Sequence, residues 1–360
     1  MGSESTCPWL EPCARRVAGD RNAVNIYHDR FTHRFYHLED GMTSLIETDN
    51  DSPPATNQRE LAETAAAARF EKFRWHGASV LMGLFGGALF DQVALPSVAA
   101  GVESTGRIRN ATWARAIRTA ASDQLVFWGT EADRRAEFSR LKLLHRDVKG
   151  VTDDGERYSA LSPESWNWIL TSTFFMMHNS YTPMTGERLT ADDDQAFWEY
   201  FKAATVGLHL PGKSALPETY CELRENYDEM ARTRLRANDT LDNAVDSLLS
   251  PPRPDFIPAV ASPLWRLIGP VAGHGVCILS FGIMHPGVRA LTRVRWTRRH
   301  EIEFRVLTAG VRFAFRHLPK RLQYSPLAYN RWRYEELSRS YRSLGLTSFA
   351  PDTRSRGCPI

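Results

Sequence analysis

The chain carries only 5 cysteines, Cys7, Cys13, Cys221, Cys277 and Cys358, and no two of them form a CxxC pair. That scatter argues against a disulfide framework or a zinc ribbon. It fits a reducing compartment, so a cytoplasmic protein is expected. Long hydrophobic runs are also missing. The longest, GASVLMGLFGGALF at 77–90, stops at Asp91 after 14 residues. It is short for a membrane span and suits a buried core helix. No apolar leader stands near the start, where Arg15-Arg16 runs into VAGDRN, so no export signal is expected. Strand-like alternation is scarce and no repeat is visible. No GxGxxG follows a strand, and HExxH and GxSxG do not occur, which removes three catalytic signatures.

What is present is ample core material. The 360 residues are 42% hydrophobic and include 10 Trp, 18 Phe and 11 Tyr, enough for one large domain. The net charge of +3 is unevenly spread. From Pro286 onward 16 Lys/Arg stand against 5 Asp/Glu, a net of +11, which leaves −8 for residues 1–285. A basic C-terminal segment suits weak contact with an anionic membrane surface or an acidic partner. The alternative is a solvated, arginine-rich helical surface. Nothing points to nucleic acid.

Residues 1–57 are polar and contain TDNDSPPATN, which reads as an arm and linker. Residues 58–345 read as a single all-helical domain, and 346–360 as a tail. Asn57 is a candidate cap for QRELAETAAAARFEKFRW. Helical periodicity recurs in 112–128 and 131–148, with Gly150 as the stop. Ser162-Pro163-Glu164 caps a helix that is apolar nearly all round and therefore central. Thr190 with Asp193 opens another, and 216–236 is amphipathic. SPPRPDFIP at 250–258 is a proline-rich connection, and further helices follow, the last over roughly 327–343. The expected class is all-α, with about ten or more helices.

Two weak signals have simpler readings. GLHLPGKS, with Gly207, Gly212, Lys213 and Ser214, spells a phosphate loop, but a helix and not a strand precedes it. Asp29, His33 and His37 at i, i+4, i+8 would share a metal only if their segment were helical.

RLKLLHRDVKG at 140–150 is more specific. On a 3.6-residue period Phe138, Leu141, Leu144, His145 and Val148 share one face, which points His145 inward. A buried imidazole needs a partner for its ring nitrogens. A structural hydrogen bond and a catalytic or metal-ligating role both meet that need. The preceding helix gathers Arg115, Arg118, Thr119, Ser122 and Val126 on one face. Such a face is either a solvated stripe or, if buried, a site that needs an anion.

These residues, taken with their neighbours, resemble the haem-dependent oxygenase family of latex-clearing proteins (rubber oxygenases), which includes the prenyl-cleaving oxygenase of mycophenolic acid biosynthesis. The likeness rests on the apolar helix ending in ALPSVAAGVES, on RAIRT as an Arg-x3-Thr pattern, on LHRDVKGVTDDGERYSALSPESWNWIL, and on the helix start LPETYCELRENYDEM. It runs from about residue 70 to 330. The resemblance implies a globin-like all-α fold holding one haem b. It matches His145 to the proximal ligand and Arg115 and Thr119 to the distal pair. Arg118 stands where the rubber oxygenases have a lysine. Glu103 is the nearest carboxylate to the family's catalytic acid, at a shorter spacing from Arg115; it could instead cap the following turn. The implied reaction oxidises or cleaves an apolar, isoprenoid-like or natural-product substrate with dioxygen, in a cavity lined by 77–95 and by Trp166–Met177. The alternative is a haem or hydrophobic-ligand binding protein without turnover.

Overall fold

The computed structural model describes residues 55–104, 112–152, 154–255 and 257–345. The proposed arm, the tail and the Asp29/His33/His37 set lie outside them. In chain order the elements begin with α1 (Ala55–Gly77), a 3₁₀ helix (Val80–Ala94), α2 (Pro96–Ser104), α3 (Thr112–Trp128) and α4 (Glu131–Arg146). A short antiparallel hairpin follows, β1 (Lys149–Val151) and β2 (Arg157–Ser159), with Gly150 opposite Tyr158. Then come α5 (Pro163–Thr185), α6 (Ala191–Ala204), α7 (Tyr220–Thr233), α8 (Asp239–Leu249), α9 (Ser262–Ile283), α10 (Pro286–Arg289), α11 (Arg298–His317), α12 (Lys320–Gln323) and α13 (Pro326–Ser343). The described fold is all-α apart from that hairpin.

Local chemistry sets most of the helix ends. The Ser162 hydroxyl accepts from the Ser165 amide, Pro163 opens α5, and Gly186 closes it in the left-handed region at φ 80°. Thr190 with Asp193 and Thr219 with Glu222 form reciprocal capping boxes on α6 and α7. α5 is buried on nearly every side. Phe174 meets Trp198 and Phe201 of α6, and Phe73 of α1 stacks on Phe197 at 3.7 Å.

Four expectations need correction. The 80–94 segment is a 15-residue 3₁₀ helix, not an α-helix. Runs of that length are uncommon, and tertiary packing holds this one. The Gly87 amide donates to Ser280 Oγ of α9 at 3.0 Å, and a side chain at Gly87 would collide with Ser280 and Leu248. Asp91 is not the polar end of an apolar run but is buried, at 3% exposure. α1 starts at Ala55, so Asn57 lies inside the helix and not at its start. α4 ends at Arg146 with Asp147 as its cap. Gly150 is a strand residue under Tyr158, whose ring leaves no room for a side chain there.

Cysteine usage was also misread. Cys221 on α7 is disulfide-bonded, while Cys277 is free and buried. Spacing along a chain says nothing about cysteines that meet in space. The argument for a reducing compartment loses that support.

α9 packs on the 3₁₀ helix, α8 and α11. A Cβ at Gly282 would fall inside the Phe304 ring, whereas Gly275 has open space around it. Gly282→Ala is therefore expected to cost about 1–3 kcal/mol, and Gly275→Ala to be neutral or mildly stabilising. Thermal unfolding of the two variants checks this; equal melting temperatures would contradict the close packing of α9 on α11.

Candidate active site

The site is built on the α3–α4 hairpin. Thr130 and Asp133 form a capping box that starts α4 immediately after the turn. Two cross-links then fix the pairing of the helices. Arg134 Nε donates to the Val126 carbonyl at 2.9 Å, and the Ser122 hydroxyl donates to Glu137. Glu137 is 3% exposed. Arg140 also donates to it, Nε to Oε2 at 2.7 Å, and that hydrogen bond holds its carboxyl below the usual range. Burial, together with the neighbouring Glu137, pushes Asp123 up to about 7.

Extending this antiparallel register by whole turns brings Arg115 level with His145, and Thr119 level with Arg140 and Leu141. Arg115, Arg118 and Thr119 lie on the Ser122 side of α3, and Leu144 lies on the Glu137 side of α4. The two facing surfaces differ along their length. Near the turn they are closed, with Phe138 6% exposed; at the far end Leu144 is 50% exposed. Arg118 and Thr119 are exposed there, and Arg115 and His145 are half-buried. The hairpin is thus tight at its turn and open at the end where the matched residues sit. Leu144, half exposed, does not join a continuous buried stripe, because none of the described residues covers that end of the face.

His145 is nevertheless held. Its Nδ1 pairs with the Leu141 carbonyl at 2.8 Å, and its ring stands edge-on to Trp166 of α5 at 5.6 Å and 81°. Trp166 is itself fixed by donating Nε1 to the Leu208 carbonyl at 2.6 Å. That carbonyl belongs to the GLHLPGKS loop, which joins α6 to α7 with no strand before it. Gly207 of the same loop lies against Phe138 so closely that no side chain would fit. The loop supports α4 and α5, and its likeness to a phosphate loop is a matter of spelling. On another side, Gly101 of α2 packs against Val148 and Tyr158, which props the end of α4.

Glu103 is exposed at the end of α2, and its carboxylate accepts from Thr240 of α8 at 3.4 Å. Arg118 Nε donates to the Ala114 carbonyl one turn back. Among the described residues no three His, Cys, Asp or Glu side chains gather as a metal site. The other buried histidines are engaged at both nitrogens: His76 with the Phe73 and Met177 carbonyls, His178 with Asn179 and Asp194.

The two segments expected to line a substrate cavity do meet, but the space between them is only about 10 Å³, room for about one water and too small for a substrate. Its polar centre escaped the sequence reading. Asp91 accepts from Ser172 of α5 and from Tyr227 of α7, the latter at 2.6 Å. Burial pushes the Asp91 carboxyl up to about 7. The only local signal was a carboxylate adjoining an apolar run.

His145 and the Arg115/Thr119 face thus belong to the two helices of one hairpin in an all-α fold. The chain belongs to the family described as ER-bound oxygenase mpaB/B'/Rubber oxygenase, catalytic domain, whose model matches residues 73–313. It is also 24% identical over 234 residues to two mycobacterial proteins, the uncharacterized protein Mb2261 of Mycobacterium bovis and the uncharacterized protein Rv2237 of Mycobacterium tuberculosis. Each match covers 64% of this chain and 87% of the relative. No solved structure matches.

The raised Asp91 pKa has a defined consequence for stability. A carboxyl that titrates near 7 in the fold and near 4 when unfolded stabilises the fold below about pH 4, and that contribution is lost as pH rises toward 7. Asp91→Asn, which cannot ionise, is therefore expected to gain stability relative to the parent between pH 4 and 7. Urea unfolding at several pH values checks it. A parent–variant difference that stays constant with pH would show that Asp91 is not protonated in the fold.

Proposed function

We propose that this chain is a haem b-dependent oxygenase, which uses dioxygen to oxidise or cleave an apolar, isoprenoid-like or natural-product substrate. Family membership supports the oxygenase class. The observation that carries the haem reading is the state of the His145 ring. A carbonyl only accepts, so the Leu141 oxygen fixes the proton on Nδ1. In the neutral ring Nε2 then carries the lone pair, and it has no hydrogen-bond partner among the described residues. A neutral imidazole oriented by a backbone carbonyl is the donor that haem iron takes. A macrocycle needs only one such side chain.

Haem b, when bound, supplies the redox-active iron that dioxygen chemistry requires. The chain's residues supply position and charge. Leu141 and Trp166 hold the His145 ring in place. Arg115 and Thr119, at the same level on the facing helix, donate hydrogen bonds where negative charge develops during oxygenation. Arg118 adds a second permanent cation; a guanidinium stays charged and cannot become a neutral ligand. Glu103, which the family resemblance offers as the acid, accepts a hydrogen bond from Thr240 Oγ1.

The test is haem content together with turnover. His145→Ala is expected to lose most of its bound haem as measured by pyridine haemochrome, while keeping its helical circular dichroism. Full occupancy with unchanged coordination in that variant would remove His145 as the ligand. The double variant Arg115→Ala/Thr119→Val is expected to keep its haem and lose about 10²-fold or more in oxygen uptake with an apolar alkene. If the parent holds haem but consumes no oxygen with any such alkene, the protein is a binding module without turnover.

A further inference from the structure

The α9–α11 surface is apolar on a side that the core does not use. α11 buries Phe304, Thr308 and Val311. Its opposite side presents Ile302, Val306, Ala309 and Phe313, at i, i+4, i+7 and i+11, and all four are exposed; Phe313 is 67% exposed. Next to this stripe runs a row of cations. Arg298, Arg305, Arg312 and Arg316 follow at i, i+7, i+14 and i+18, within about 40° of one another around the helix. Three of them, Arg298, Arg305 and Arg316, are exposed.

α9 continues this surface. The stretch Ala259–Ile283 is long and apolar enough to cross a membrane, yet half of its most apolar part is buried inside the fold. The other side of its first half shows Val260, Leu264, Leu267 and Val271, again at i, i+4, i+7 and i+11, and all are exposed. α9 contains no acidic residue and one arginine, the exposed Arg266. The two stripes meet at the His274–Glu303 bridge, 2.9 Å long, which lies one turn from Val271 and next to Ile302.

We propose that α9 and α11 form a docking face for an anionic lipid bilayer. The aliphatic stripes enter the boundary of the acyl region, and the arginine row lies on the headgroups. An apolar stripe bordered by arginines is the pattern of a helix that lies in the membrane interface. Charge selects this occupant over the others. A second copy docking face to face would set two arginine rows against each other. A protein partner favours aromatic and methionine anchors at the centre of its interface, whereas this face is aliphatic apart from Phe313. The net +11 of residues 286–360 adds long-range attraction to an anionic leaflet. The proposal concerns a surface remote in sequence from His145 and Arg115, and it stands whether or not the chain turns over an alkene.

Flotation of the full chain with phosphatidylcholine vesicles, with and without phosphatidylserine, tests it. Binding is expected only with phosphatidylserine and should weaken as salt rises. The triple variant Arg298→Glu/Arg305→Glu/Arg316→Glu and the pair Val306→Glu/Phe313→Glu are each expected to bind roughly tenfold or more weakly. Both change exposed side chains, so the melting temperature should hold. A second readout needs no variant: amide exchange over 262–271 and 302–313 should slow when the anionic vesicles are added. No binding at low salt overturns the proposal, as does binding that both variants retain. A dimer that forms without lipid and is abolished by Val306→Glu/Phe313→Glu also overturns it.

Discussion

The buried carboxylate of Glu137 is the constraint on which the site depends. An ionised group shut away from water must be met by partners, and Glu137 is met by Ser122 of α3 and Arg140 of its own helix. Those partners leave α3 and α4 a single register. Once Ser122 lies against Glu137, Arg115 must come level with His145. Arg115 and His145 thus come level through a salt-bridged hydrogen bond about two helical turns away from each.

Stability and function divide along this hairpin. The turn end is packed, with Val126, Phe127 and Trp128 buried, so it anchors the hairpin. The open end keeps Leu144, Thr119 and Arg118 in contact with solvent, which is where chemistry needs access. Rigid supports surround the ligand on its other sides. Trp166 comes from the most buried helix of the fold, the Leu208 carbonyl fixes it, and the β-hairpin packs onto Gly101 of α2 through Tyr158. Three short motifs, scattered along the chain, together hold one imidazole.

Much of the fold was legible because helix ends are local chemistry. Ser162-Pro163 and Thr190 with Asp193 could be read as starts from side chains that bond backbone groups within three residues. His145 and the Arg115/Arg118/Thr119 face were legible through periodicity. What periodicity could not supply was the cover over each face: it grouped Leu144 with Phe138, and only tertiary packing separates a buried Phe138 from a half-exposed Leu144. Asp91 was misread for a similar reason. Its partners, Ser172 and Tyr227, lie 81 and 136 residues away. The 3₁₀ geometry of 80–94 depends on contact between Gly87 and Ser280, and no local rule foretells it.

The central claim is that His145 Nε2 would be the donor that holds haem iron. Titration of the purified protein with haemin, followed by its absorption spectrum, tests this most directly. The account predicts saturation at one haem per chain, with a sharpened Soret band typical of imidazole-ligated iron. A spectrum that stays that of free haemin at every ratio would contradict it.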